Sequence, residues 1–267
     1  MPTMTRAYYE TNTALFERWG GGRDAGSVHR ALWAPGVRSQ RDALHEAHRR
    51  IWQTAARVDA LRVLDLGCGI GGALAYLRAR SSTLRAVGIT LSPAQARRAL
   101  SRADDALIIV GDYHAAPLAG PFDLAFAIES FAHASDPRRF FASAARCLHP
   151  DGMLVIIDDT ATAEHVDIET AFWMRVFRDG WHTPSVFPIE AIVAHAARAG
   201  FVMTQAEDLT AQLRLRALPD ALARALVGAL RAARRHEVAS ASAGSIALQQ
   251  LYARGAMRYR HMEFRRG

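Results

Sequence analysis

The chain has 267 residues, half of them hydrophobic, and 33 basic against 26 acidic side chains give a net charge of +7 carried by arginine. No run approaches the roughly 20 apolar residues of a membrane helix. No secretory signal marks Met1 to Glu10, and two cysteines, Cys68 and Cys147, make neither a disulfide framework nor a zinc site. A cytoplasmic protein without membrane insertion is the expectation. The arginines are scattered over the chain in short runs such as Arg265-Arg266. No stacking-aromatic array sits in a basic groove, so nucleic acid is not expected as a partner.

Residues 1–60 read as a mostly helical cap and 61–267 as a core, together one structural domain. From Leu61 onward, short β-rich runs alternate with helical stretches. That is the pattern of an α/β fold with a mostly parallel sheet covered on both faces. Strands are expected at Leu61–Leu66, Leu84–Ile89, Ala106–Val110, Phe122–Ile128 and Met153–Ile157, with His149–Gly152 as a turn before the last of these. Ser92-Pro93 opens a helix, because a serine cap and a proline at the first helical position both suit a helix start. Asp136-Pro137 does the same for a helix running to Leu148. Beyond Ile157 the reading is helix Val166–Asp179, a proline-containing loop to Pro188, helix Ile189–Ala199 and strand Phe201–Leu209. Helices over Leu218–Arg235 and Ala243–Arg254 and an antiparallel strand Met257–Phe264 complete the chain. The segment 160–188 reads as an aromatic lid.

The stretch Val63–Gly72 is the most informative. Glycines let backbone pass close under a ligand, and the loop feeds a helix N-terminus whose free amides favour negative groups. Gly67, Gly69 and Gly72 also satisfy the dinucleotide pattern G-x-G-x-x-G. Two features weigh against a dinucleotide. Asp65, just before the first glycine, suits the amino group of an amino-acid cofactor rather than a pyrophosphate. The second strand ends in Thr90-Leu91-Ser92, without the acid that a ribose of NAD would need.

On these residues the loop Asp65–Gly71 resembles motif I of class I S-adenosylmethionine methyltransferases, and Cys147–Gly152 is similar to their segment before strand five. The resemblance covers Leu61 to Asp158 and implies a Rossmann-like, seven-stranded fold and S-adenosyl-L-methionine as cofactor. It implies a cofactor site of Asp65, Gly67, Cys68, Gly69, Gly71, Thr90, Leu91, Gln95, Asp112 and Tyr113. Thr90, Leu91 and Gln95 match a subset, including sterol, tocopherol and cyclopropane-forming enzymes, that holds the ribose without the usual acid.

Glu129 and His133 follow the fourth strand and are expected at the active site, since ligands sit beyond the carboxyl ends of such strands. Burial at the tip of an apolar strand should raise the Glu129 pKa towards that of a working base. Tyr8–Thr13 and Ser27–Val37 resemble the cap of bacterial isoprenoid C-methyltransferases. That resemblance implies a prenyl diphosphate such as geranyl, farnesyl or isopentenyl diphosphate as the small-molecule substrate, with Mg²⁺ accompanying it. It also makes a homo-oligomer plausible. His29 and Arg30 would bind the diphosphate, Tyr8 would join them, and Trp173, Phe177 and Trp181 would shield a carbocation. On this reading the enzyme methylates an alkene carbon of an isoprenyl diphosphate in terpenoid biosynthesis, and Glu129 removes the proton afterwards. The alternative is O- or N-methylation of a phenolic, sterol-like or other secondary metabolite. No pair of carboxylates has metal spacing, so the ligands of Mg²⁺ are left unknown.

Overall fold

A computed structural model describes residues 26–118, 120–162, 167–232 and 236–267. Tyr8 and the rest of Tyr8–Thr13 lie outside the described residues. Of the expected cap, the segment 26–39 runs without regular structure into helix α1 (Gln40–Arg57), where Ser39 accepts from the Asp42 amide at 3.0 Å. The core then alternates: β1 (Arg62–Leu66), α2 (Gly72–Arg78), β2 (Arg85–Thr90), α3 (Pro93–Arg102), β3 (Leu107–Val110), β4 (Phe122–Ile128), α4 (Pro137–Cys147) and β5 (Leu148–Ala161). The remaining elements are α5 (Ile168–Trp181), α6 (Ile189–Ala197), β6 (Phe201–Asp208), α7 (Asp220–Ala232), α8 (His236–Ala253) and β7 (Met257–Arg266).

The strands form one seven-stranded sheet in the order β3-β2-β1-β4-β5-β7-β6. β7 runs antiparallel to both its neighbours, and the other pairings are parallel. Alternation along the central strands sends side chains into two cores. Val63, Leu124, Phe126, Val155 and Ile157 pack under one set of helices. Leu64, Leu66, Ala125, Ala127, Leu154 and Ile156 pack with Phe140 and Phe141 on the other face. Strands buried on both sides need such unbroken apolar runs. The carboxyl ends of β1 and β4 meet where strand order reverses, and there an open α/β sheet leaves a crevice.

Among the expected boundaries that move, three do so for a local reason. The turn His149–Gly152 lies within β5, because Phe122 pairs with Leu148 and Leu124 with Met153, leaving the intervening residues as a bulge. α5 does not stop at Asp179. Gly180 instead lets it press against α8, where an added Cβ would lie 2.4 Å from the Ser240 carbonyl oxygen. α8 starts at His236 rather than Ala243, since its run of alanine and serine carries no helical apolar periodicity to read.

Candidate active site

The β1–α2 turn is built by backbone. The amides of Gly67 and Cys68 both donate to the Ile89 carbonyl, at 3.1 and 2.8 Å, and the Gly71 amide donates to the Cys68 carbonyl at 2.8 Å. Gly67 has φ +118°, and a Cβ there would come within 2.5 Å of Ser130, so the loop admits no side chain at that position. Ser130 in turn donates to the Leu66 carbonyl at 2.6 Å and fastens the end of β4 to the end of β1. On the next strand Thr90 Oγ1 donates to Gln95 Oε1 at 2.8 Å, and Ser92 caps α3 by accepting from the Gln95 amide at 3.2 Å. After β3, Asp112 accepts from the amide and ring of His114 at 2.9 and 2.7 Å, which hold its carboxyl below the usual range. Tyr113 OH donates to the Ser130 carbonyl at 2.9 Å.

These groups line one cavity of about 690 Å³. Of the residues expected to hold the cofactor, all but Gly71 line it, and Gly71 lies behind them as the N-cap of α2. Asp65 is 3% exposed, and burial without a cation partner among the described residues pushes its carboxyl well above the usual value. A buried carboxylate with nothing to balance it is costly, and a ligand cation would remove that cost.

At the other end of the cavity, Arg30 is the hub. Its backbone amide and Nε donate to Glu129 Oε1 at 2.9 and 3.0 Å. Nη1 and Nη2 grip the Asp159 carboxylate at 2.9 and 2.8 Å, and Nη1 also donates to Tyr252 OH at 2.7 Å. Tyr252 OH donates to Asp159, and Tyr259 OH donates to Glu129 Oε1 at 2.9 Å. The guanidinium carbon stands 4.3 Å from the centroid of the Tyr259 ring. All the Glu129 contacts fall on Oε1, and Oε2 has no partner among the described residues. Glu129 holds φ +47°, a left-handed conformation that a non-glycine residue keeps only when its surroundings enforce it.

This hub corrects two expectations. Burial alone would raise the Glu129 carboxyl, but Arg30, with His29 and the Arg30 amide, holds it below the ordinary value. Glu129 is therefore ionised at neutral pH rather than tuned upward. Arg30 is not an open fork for a diphosphate, because its Nε and both Nη groups already serve carboxylates and a phenol. His29 lines the cavity as a neutral ring, lowered by burial, with Nδ1 donating to the Arg30 carbonyl at 3.1 Å and Nε2 2.8 Å from His48 Nε2. His133 lines it too, lowered by burial to about 4, with Nδ1 donating to the His182 carbonyl at 3.2 Å. Of the expected aromatic shield only Trp181 reaches the cavity. Trp173 and Phe177 are fully buried in the core, as their spacing of four on α5 also allows.

Asp158, Asp159 and His48 also line the cavity, and Tyr252 and Tyr259 join the hub behind it through Arg30 and Glu129; none of the five stands out in the sequence. The two aspartates follow the apolar run of β5 as Glu129 follows that of β4, so the same rule could have found them. The tyrosines carry no local signal. Among the described residues, no group of three or more His, Cys, Asp or Glu side chains is arranged to hold a metal by itself. Among the same residues no helix is long and apolar enough to cross a membrane.

The sequence pattern of the family described as methyltransferase domain matches residues 37–206. The 24-methylenesterol C-methyltransferase 2 of Oryza sativa subsp. japonica is 28% identical over 236 residues, covering 83% of this chain and 60% of that protein. The 27-O-demethylrifamycin SV methyltransferase of Amycolatopsis mediterranei is 30% identical over 195 residues, covering 69% of this chain and 70% of the other. The chain spans 60% or less of the length of the sterol, hydroquinone and tocopherol methyltransferases it matches. A solved geranyl diphosphate C-methyltransferase from Streptomyces coelicolor shares the fold, with TM-score 0.64 at 16% identity, over 90% of this chain and 91% of that one.

Proposed function

Because the chain belongs to the methyltransferase-domain family, we propose that it is an S-adenosylmethionine-dependent C-methyltransferase of a small isoprenoid that is uncharged at its reacting end. The observation that carries this reading is Glu129, a carboxylate that lines the cavity and that Arg30 holds below its ordinary pKa.

The residues suit the cofactor. Asp65, buried without a counter-charge among the described residues, would take its ammonium group, and the glycine loop would pass beneath it. Thr90, Leu91 and Gln95 would hold the ribose, and Asp112 and Tyr113 the adenine. Bound there, S-adenosylmethionine supplies a methyl group on a positively charged sulfur. Glu129 then faces an acceptor carbon that gains positive charge as it is methylated. A fixed carboxylate in a water-poor site stabilises such charge without having to reorganise. His133 stays neutral and adds no opposing charge.

The acceptor class follows from what Arg30 cannot do. With its guanidinium engaged by Glu129 and Asp159, the acceptor end offers little to a diphosphate and more to a neutral isoprenoid. Sterol and prenylated-hydroquinone methyltransferases stand among the relatives. A prenyl diphosphate is the second reading, favoured by Arg178, which lines the cavity and has the Val186 carbonyl as a partner of Nη2.

The test is incubation with S-adenosylmethionine and Mg²⁺ against isopentenyl, geranyl and farnesyl diphosphates, a prenylated hydroquinone and a sterol. Release of S-adenosylhomocysteine and product mass are read. Methylation of an uncharged isoprenoid on carbon is expected. Turnover of diphosphates alone would transfer the role to the second reading, and methylation on oxygen would discard the C-methyl assignment.

A further inference from the structure

The hub serves two of three neighbouring carboxyls and leaves the third. Glu129 lies just past β4 and Asp158 near the end of β5, side by side, since Ile128 pairs with Ile157. Asp158 is 2% exposed and lines the cavity. Its partners are backbone amides: Oδ2 accepts from Ala132 at 2.9 Å and Oδ1 from Asp159 at 2.8 Å. Arg30 turns to Glu129 and Asp159 instead. Arg260, the register partner of Asp158 on β7, gives its Nε to Thr160 at 3.0 Å. An ionised carboxylate has about four lone-pair sites, so two amide bonds leave capacity towards the cavity.

We propose that Asp158, rather than Glu129, is the carboxylate that takes the proton the acceptor loses after methylation. The assignment rests on the methyl-transfer reading above and divides the labour of the two acids. Glu129, fixed by Arg30 and Tyr259, stabilises positive charge. Asp158, without a cation partner among the described residues, has the greater affinity for a proton. The charged groups facing it are Asp159 on its own strand and Glu129 from β4, and the Tyr113 phenol after β3 and the Tyr259 phenol from β7 are kept neutral by burial. Burial first, then Asp159 and, further down, Glu129, push its carboxyl up to about 8. Two carboxyls whose surroundings drive their pKa values apart mark a division between charge stabiliser and proton carrier.

In the step, a C–H bond beside the cationic carbon breaks and its electron pair forms the new carbon–carbon π bond. The proton passes to an Asp158 oxygen. The acceptor cation becomes neutral, the carboxylate becomes a carboxylic acid, and the proton later leaves to solvent.

Two arms test this. Infrared difference spectra of the full chain with S-adenosylhomocysteine, across pH 6 to 10, should show a protonated carboxyl that titrates near 8 in the wild type and is absent from Asp158→Asn. With whichever acceptor the panel identifies, the rate should rise tenfold per pH unit below that value and level off above it. Asp158→Asn should lose about a hundredfold or more in turnover together with the rise. Glu129→Gln should be slower but keep the rise. If Asp158→Asn does not fold, Asp158→Glu should keep the rise at a shifted pH. A flat wild-type profile, a rise that survives in Asp158→Asn or is unshifted in Asp158→Glu, or no titrating carboxyl would overturn the assignment. Failure to bind S-adenosylhomocysteine would instead count against the methyltransferase reading itself.

Discussion

The two ends of the cavity are made differently. At the cofactor end, Asp65 through Tyr113 fall within one stretch of chain, and the turn is held by neighbouring strands through bonds such as Gly67 and Cys68 to Ile89. At the acceptor end, Arg30 reaches Glu129, Asp159 and Tyr252, partners 99, 129 and 222 residues away. The first end is local backbone geometry. The second exists only when the cap, β4, β5, α8 and β7 have come together, so its chemistry and its stability are one property.

That difference can be broken most forcefully at Arg30. Arg30→Ala leaves Glu129 and Asp159 buried without their cation and should cost about 3–5 kcal/mol of unfolding free energy in urea titrations, with acceptor turnover lost. Glu129→Gln should cost about 3 kcal/mol near neutral pH. The Glu129 carboxyl lies below its unfolded value, so its contribution is present above that value and lost as pH falls through the folded one. The gap between wild type and Glu129→Gln should therefore close in acid, and a gap constant down to pH 3 would contradict the ion pair.

At the cofactor end, Asp65→Asn should weaken S-adenosylmethionine binding by about 1.5–3 kcal/mol, roughly 10- to 100-fold by calorimetry. It should leave the fold no less stable, because the wild-type carboxylate is itself unbalanced. The smallest effect should come from Ser92→Ala, which removes the cap of α3 and should lower stability by about 1 kcal/mol in thermal melts. An Asp65→Asn that unfolds the protein, or an Arg30→Ala that leaves it stable, would erase the distinction between the two ends.

The same distinction separates what was legible in sequence from what was not. The order of strands and helices from Leu61 on could be read because apolar runs and caps such as Ser92-Pro93 and Asp136-Pro137 act on their own neighbours. The glycine loop could be read for the same reason. Arg30 reads in the sequence as a ligand fork, because a guanidinium looks the same whether its carboxylates belong to a substrate or, like Glu129 and Asp159, to distant strands. Trp173 and Phe177 were expected in a shield, and a spacing of four serves a buried helix face equally well. Asp158 does not stand out in the sequence because the apolar run stops at Ile157, whereas β5 continues to Ala161 through a run of backbone pairs with β7.

On the proposed reading the acceptor end prefers an uncharged isoprenoid because the Arg30 guanidinium is engaged by Glu129 and Asp159. The most direct measurement is a competition in one vessel: wild-type chain, S-adenosylmethionine and Mg²⁺ with equal geranyl diphosphate and prenylated hydroquinone, read by product mass. A methylated hydroquinone and an unchanged diphosphate are expected. A methylated diphosphate beside an untouched hydroquinone would contradict it.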